Sequence, residues 1–580
     1  MSIATPERAA AAGPLAPFRQ KIFLAVWTAS LASNFGSLIQ GVGASWLMTS
    51  IAPSADMVAL VQASTALPIM LFSLVAGAVA DVFDRRIVML AAQVLMLAVS
   101  ALLYAVTAYG LISPWLLLTL TFLLGCGAAL YGPAWQSSVG DLVPRSDLPQ
   151  AVALNSLGFN IARTVGPAIG GFVVAAAGPE AAFLLNACTY VGLIVVLAAW
   201  RRPGADTSLP RESVGAAMLA GVRYTALSPG IRVVLGRSLA FGLFASAIWA
   251  LMPLIARDRI GGGPLTYGLL LGAFGAGAVI SALFSHAIRT RFRTETVVAG
   301  ATLGYAAASL IAALSASLPI TMAGLLAGGA GWVLALSTFN VSVQLSTPRW
   351  VVGRAMAIYQ TVTFGAMAVG SWAFGLLAHA EGLSTALAAA GVGLAVSAAL
   401  GRLLPLDRNA AGNMEPHRDW PEPTVRLDLR PTSGPVVVTV EYRVDPADEA
   451  AFVTAMREVR RIRRRDGGHR WTLLRDVAEP QVWIERFQTA TWVDHLRQHR
   501  RSTVADLDAE TRARAYHRGP EPPRVRHFLE RPTAGLEPQP DVHPPRQAPM
   551  GVTIDPRLPP TRMGADVDGV SPSGRPSRAG

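Results

Sequence analysis

The chain has 580 residues, 52% of them hydrophobic and 15% charged, with a formal net charge of +12 and a mean hydropathy of +0.41. That balance marks a membrane protein and excludes a single soluble domain. The positive charge does not indicate nucleic acid, because most arginines fall in loops between apolar runs and in the tail, where they report topology.

Residues 1–20 lack the apolar core of a secretory signal, so the first span is expected to direct insertion itself. Twelve apolar runs follow, each long enough at about 1.5 Å per helical residue to cross a hydrocarbon core of about 30 Å. The first six cover about 22–48, 57–80, 87–108, 115–139, 151–177 and 181–200. The second six cover about 233–255, 265–288, 296–314, 320–343, 355–378 and 383–404. This divides the chain into an N-terminal segment 1–20, a six-helix half 21–200, an inter-half loop 201–231 and a second half 232–405. Then come a linker 406–434, a soluble domain 435–531 and a disordered tail 532–580. An even number of spans puts both ends on one side. Arg19, Lys21, Arg85, Arg86, Arg145, Arg289, Arg349 and Arg402 gather there, while the opposite loops carry only Arg257 and Arg259. Both termini are therefore expected in the cytoplasm. Cys126 and Cys188 lie inside apolar runs and read as small core residues, without disulfide or zinc spacing.

The two sets of six are related. The offset from Pro144-Arg145 to Pro348-Arg349 also carries Arg85 to Arg289, Gly125 to Gly329, Gly127 to Gly331, Gln136 to Asn340, Gly166 to Gly370 and Gly171 to Gly375. A parallel repeat of six helices is expected to hold its substrate between the halves near midplane.

Span five departs from the repeat. Arg163 is a lone charge in its middle, and the same offset leads to Met367. A guanidinium at midplane costs at least about 2.5–3.5 kcal/mol, so it must face protein or a water-filled cavity. It is either a counter-charge for cargo or an arginine satisfied by carbonyls in a packed seam. Gly166, Pro167, Gly170 and Gly171 beside it allow a close, bendable packing.

The stretch Gly77-Ala-Val-Ala-Asp81-Val-Phe-Asp84-Arg85-Arg86 offers a glycine for tight packing and charges that can lock neighbouring helix ends. It resembles the cytoplasmic loop motif of the major facilitator superfamily. The resemblance implies that Asp81, Arg85 and Arg86, joined by Asp141, stabilise the inward-closed arrangement. Gly166-Pro-Ala-Ile-Gly-Gly171 resembles the helix-five motif of exporter members. Phe18-Arg19, Trp27, Ser33-Asn-Phe-Gly36, Gln40, Trp46-Leu-Met-Thr49, Asn155, Asn160 and Arg163 resemble the branch labelled transmembrane secretion effector, which includes the enterobactin exporter. Two departures stand out: the second copy of the loop motif, Phe284 to Arg293, has lost its glycine and acid, and span four lacks the arginine common in proton-coupled drug exporters.

The resemblance implies export of a siderophore-like or drug-like small molecule across the bacterial inner membrane by alternating access. Arg163, Asn34, Gln40, Gln136, Asn160, Asn340, Gln344 and Gln360 are the candidate substrate contacts, each weighed against an ordinary interhelical bond. No Asp or Glu lies inside a span, so the coupling ion stays open.

Beyond the linker the pattern is soluble: strand 436–444, helix 446–465, strands 469–477 and 481–489, helical turns 491–517 and strand 524–530. This is the order of a ferredoxin-like α+β domain. Its sheet is expected to expose Val437 and Trp483 and so to pair two copies into a homodimer. The domain, with Trp492-Val-Asp-His495-Leu-Arg-Gln-His499, resembles the antibiotic-biosynthesis-monooxygenase type of dimeric α+β barrel. Those enzymes use neither metal nor flavin, and no cofactor or metal is expected here. Trp471, Trp492, His495 and His499 are candidate cavity residues, and His495 with His499 share a helix face. Arg457 to Arg465, Arg497, Arg500 and Arg501 read as a solvated basic face. A dimerising or ligand-sensing role leads. A cofactor-independent monooxygenase feeding the exporter, or a sensor without flux, is the alternative.

Overall fold

The structure is a computed structural model and describes residues 15–144, 147–200, 214–348, 350–406, 414–415 and 425–531. Its membrane region is helical: α1 (Lys21–Ile51), α2 (Ala55–Val82), α3 (Arg85–Ala108), α4 (Pro114–Leu142), α5 (Leu148–Ala199), α6 (Val214–Leu227), α7 (Pro229–Leu254), α8 (Pro264–Arg291), α9 (Thr294–Leu314), α10 (Leu318–Leu345), α11 (Val352–Glu381) and α12 (Leu383–Ala399). Eleven helices among the described residues are long and apolar enough to span a bilayer. One of them, α5, breaks at Gly178, which takes φ 80° and ψ 168°. Each arm of α5 is long enough to cross, giving the twelve crossings expected. Gly382, at the repeat position of Gly178, takes φ 91° and ψ 157° between α11 and α12. A side chain is strained in that region, so the same residue type turns the chain at the same point in both halves.

The repeat recurs in the packing. A Cβ on Gly127 would press on Met96 of α3, and one on Gly331 would press on Ala301 of α9. Where α5 meets α8, a Cβ on Gly171 would lie 2.7 Å from Pro264 O and 2.9 Å from Gly268 Cα. Where α11 meets α2, one on Gly375 would lie 2.6 Å from Ala59 Cβ and 2.9 Å from Asp56 Cα. The halves thus meet along two equivalent seams at the face away from the chain ends, which we call the far face. Phe172, Val195, Leu283 and Val396 stay exposed on the perimeter, as lipid-facing side chains do. Cys188 is exposed and Cys126 half-buried, so neither is the core residue expected.

The inter-half loop is not a simple loop: its described part holds the 14-residue helix α6 and the first residues of α7. Ala220 and Tyr224, four apart, are buried on one face, which holds a segment that its length alone left unassigned.

The C-terminal domain has β1 (Val436–Arg443), α13 (Glu449–Asp466), β2 (His469–Arg475), β3 (Val482–Thr489), α14 (Trp492–Arg501), α15 (Val504–Arg514) and β4 (Arg524–Leu529). The sheet order is β2-β3-β1-β4, all pairs antiparallel, as a ferredoxin-like order requires. Phe452, Met456 and Val459, spaced on one face of α13, pack on Val440 and Tyr442. Trp483 turns toward the helices and lies 5.9 Å from the Phe452 ring, and Val437 is buried. The expected exposure of these two is therefore corrected: Leu474 and Phe528, 46% and 48% exposed, are the apolar residues left open.

The arginine run is a solvated face only in part: Arg457, Arg460, Arg464 and Arg500 are exposed, and others are not. Arg465 is buried with Asp466 and Asp506, and Arg463 reaches Glu510 at 2.7 Å and Glu485 at 3.2 Å. Others dock the domain on the membrane region. Arg461 donates to Leu227 O at 3.2 Å, Arg465 lies 4.8 Å over the Tyr224 ring, and Arg501 lies 4.3 Å over the Trp350 ring.

Candidate substrate site between the halves

Arg163 sits where α5 crosses α8. Thr164 Oγ1 donates to Gly275 O at 3.2 Å, and a Cβ on Gly275 would lie 2.9 Å from Arg163 O. With the backbones this close, the Arg163 side chain reaches across to the second half, its Cζ 5.5 Å from the centroid of the Trp249 ring on α7. Arg163 makes no hydrogen bond or ion pair among the described residues. No carbonyl of the described residues satisfies it, and the ring holds the guanidinium with an attraction of about 0.5–2 kcal/mol. Trp249 Nε1 is likewise buried without a partner among the described residues. Behind Trp249 stands an aromatic cluster: Phe274 at 4.8 Å, Trp332 at 5.8 Å, then Tyr305 at 6.0 Å from Trp332. Tyr305 donates to Ala245 O at 2.9 Å. The place combines hydrogen-bond donors from both halves with an apolar aromatic wall, the usual composition of a small-molecule site.

The other polar candidates separate. Gln40 is buried inside the first half, its Oε1 accepting from Ser100 Oγ at 2.6 Å and from Asn186 Nδ2 at 2.5 Å. It braces α1, α3 and the second arm of α5 instead of facing the seam. Gln136 and Gln344 are exposed, and Asn34, Asn160, Asn340 and Gln360 half-buried. Gln344 donates to Asn340 Oδ1 at 2.5 Å along α10.

The helix-five motif is divided between two partners. Gly166 and Gly170 back onto α1, near Leu38 and Ile39, while Gly171 and Pro167 O meet Gly268 of α8. In the loop motif Arg86 donates to Leu197 O at 2.8 Å and Ala198 O at 2.5 Å, closing carbonyls that the end of α5 leaves open. Asp84 caps α3 through Arg86 N at 2.9 Å, and Arg85 is half-buried. Gly77 does not serve close packing, because a Cβ there meets nothing within 4 Å. The side chains of Asp81 and Asp141 lie outside the described residues.

Residues 12–533 match the transmembrane secretion effector family. The chain belongs to that family. It is a multi-pass membrane transporter of the major facilitator type. The multidrug efflux pump Tap of Mycolicibacterium fortuitum is 27% identical over 375 residues, covering 62% of this chain and 90% of Tap. The enterobactin exporter EntS of Salmonella typhi is 28% identical over 330 residues, covering 55% and 76%. A bacterial homologue of the human lysosomal transporter Spinster, solved inward-facing and unoccupied, shares the fold with a TM-score of 0.55 at 15% identity, covering 67% of this chain and 97% of that one.

In the C-terminal domain of this family member, a cavity of about 950 Å³ opens between the sheet and α13 to α15. Trp492 and His499 line it, together with Tyr442, Phe487, Arg463, Glu510 and His527. His495 is fully buried and Trp471 stands apart, donating from Nε1 to Glu485 at 3.0 Å. Glu485, wholly buried, also meets Tyr442 OH at 3.3 Å. Burial alone would push the Arg463 guanidinium down, but the charges of Glu510 and Glu485 carry it above its ordinary value. Burial, with Arg463 and neighbouring imidazoles, drives His495 down to about 3 and His499 to about 2.

Three features escaped the sequence reading. The aromatic cluster was visible only by comparing the halves position by position, and His527 only by noticing a histidine in a strand that faces the i, i+4 pair. The carboxylate network around Arg463 had no sequence signal beyond charge.

Proposed function

We propose that this family member exports a small molecule with an anionic or hydrogen-bond-accepting group on an aromatic or apolar body, outward across the bacterial inner membrane, with both termini cytoplasmic. The observation that carries this reading is Arg163 against Trp249: two sets of donors without hydrogen-bond partners among the described residues, contributed by different halves, on an aromatic wall. A cargo acceptor placed there bridges the halves and biases their relative position, which is how binding couples to alternating access. Tap and EntS are named for efflux and for enterobactin export, and both support the direction and the siderophore-like or drug-like class.

The arrangement fits an inward-facing state. At the far face the Trp46 and Tyr267 rings stack across the halves at 6.4 Å, Arg257 donates to Thr49 O, and Gly171 meets Gly268. Toward the face of the chain ends, Gln136 and Gln344 are exposed, as residues lining an open vestibule are.

Metabolite profiles of culture medium from a deletion strain, complemented with wild type or Arg163→Met, test the reading. One or more compounds with an acidic or chelating group are expected to vanish from the medium on deletion and to return with wild type only. Unchanged profiles overturn export. Reporter fusions after Arg408 and within 178–180 are expected in opposite compartments, and an external Arg408 fusion overturns the topology.

For the C-terminal domain we infer ligand sensing and pairing of two copies, favoured by the cavity and by exposed Leu474 and Phe528 on the face away from the helices. Light scattering of the detergent-purified chain is expected to give a dimer that Phe528→Glu dissociates. Oxygen consumption with quinol-like substrates, lost in His495→Ala, favours the monooxygenase alternative instead.

A further inference from the structure

The C-terminal cavity contains a cluster that the transport reading does not use. His495 and His499 lie one turn apart on α14, so both rings leave the same helix face. His527 comes from β4, where it pairs with Val438 of β1 and so shares the sheet face that the helices cover. The three rings are 4.7 Å (His495 to His499) and 4.9 Å (His495 to His527) apart at their centroids. One nitrogen from each lies within 4.8 Å of the others, and His527 Nε2 is buried without a hydrogen-bond partner among the described residues.

We propose that His495, His499 and His527 form a binding site for a borderline divalent transition metal, Zn²⁺ or Co²⁺, whose remaining coordination position opens into the cavity. Three neutral imidazoles with an open fourth position make the donor set of catalytic and ligand-binding zinc sites. A tetrahedral ion about 2.0–2.1 Å from each nitrogen sets them about 3.3 Å apart. Closing from 4.8 Å asks for small rotations of side chains already on two facing elements. A nearby cation is Arg463, and its direct ion pairs with Glu485 and Glu510 offset much of the repulsion it would exert on an ion. An ion held here exposes a Lewis-acid face to whatever enters the cavity, and a small molecule with an oxygen or nitrogen donor is the ligand that face selects. The proposal does not depend on what the membrane region carries.

The full chain, purified in detergent through a tag without histidines, is titrated with Co²⁺. The expected result is saturation at one equivalent per chain with the visible absorption of a four- or five-coordinate site, bleached by Zn²⁺. His499→Ala and His527→Ala are each expected to weaken binding at least about tenfold, and His469→Ala, an exposed histidine of β2, to leave it unchanged. His495 is enclosed in the core, so it is not the test residue, and His527→Gln serves as a second, size-matched variant for β4. Wild type without a saturable equivalent, or His499 and His527 variants binding like wild type, overturns the proposal.

Discussion

The two halves of the membrane region share a scaffold and differ in their interiors. Gly127 and Gly331, Gly171 and Gly375, and Gly178 and Gly382 do the same work at matching positions. The interiors diverge: the first half is braced by Gln40, Ser100 and Asn186, whose repeat positions are Phe244, Gly304 and Ala390. The second is filled by Trp249, Phe274, Tyr305 and Trp332, whose counterparts are Ser45, Met70, Ala101 and Ala128. The repeat position of Arg163 is Met367, which is buried. Backbone approach tolerates no side chain, so it is held in common. Interiors need only fill volume and satisfy polar groups, so they are free to diverge, and the divergence meets where Arg163 lies on Trp249.

The largest expected effect lies in the shared scaffold. Leucine at Gly268 must displace Pro167 O, 2.8 Å from the new Cβ, and Gly171 Cα at 2.9 Å, an overpacking of about 1–3 kcal/mol or more. Because that contact closes the far face, Gly268→Leu is expected to reduce efflux to background. Gly375→Leu, at the equivalent seam, is expected to do the same. Gly77→Ala meets open space and is expected to leave efflux intact. Unequal losses at the two seams break the equivalence of the halves.

Arg163→Met gives the first half the residue that the second already has. Efflux is expected to be lost at normal membrane abundance, while Arg163→Lys keeps the charge without the planar fork and retains part of it. A depleted Arg163→Met protein assigns the residue to structure, and wild-type efflux removes it from both roles.

The sequence carried the twelve crossings, the repeat and the strand order of the C-terminal domain, because apolar periodicity and glycine spacing are local signals. It singled out Arg163 as a lone charge in an apolar span but gave no view of its neighbour, since Trp249 comes from α7, a helix of the other half. Gln40 shows the limit most plainly: an amide in an apolar helix reads the same whether it faces cargo or Asn186. In the basic run from Arg457 to Arg465, Arg457, Arg460 and Arg464 are exposed as read, but Arg463 and Arg465 are not, because their partners Glu485, Asp506 and Glu510 arrive from β3 and α15 and draw them into ion pairs.

The interior brace tests the difference from the other side. Gln40→Leu leaves Asn186 Nδ2 and Ser100 Oγ with fewer acceptors in a buried place, a loss of about 1–3 kcal/mol. The expected outcome is a lower unfolding temperature in detergent with unchanged efflux per folded molecule. Reduced turnover in a normally stable Gln40→Leu protein moves Gln40 from brace to substrate contact.

Trp249→Phe gives the smallest expected change and the finest resolution. Phenylalanine keeps an aromatic ring under the Arg163 guanidinium, though a smaller and weaker one than indole, and removes the Nε1 donor. If cargo accepts a hydrogen bond from that nitrogen, the loss is that of one neutral bond, about 0.5–1.5 kcal/mol, or about two- to tenfold in apparent KM. Turnover at saturation is expected to hold, because an aromatic ring and the glycine seam are kept. Combining Trp249→Phe with Arg163→Lys tests whether the halves act on one ligand. Donors contacting the same acceptor group are coupled, so the double variant is expected to differ from the sum of the singles, whereas strict additivity in efflux assigns them to separate contacts.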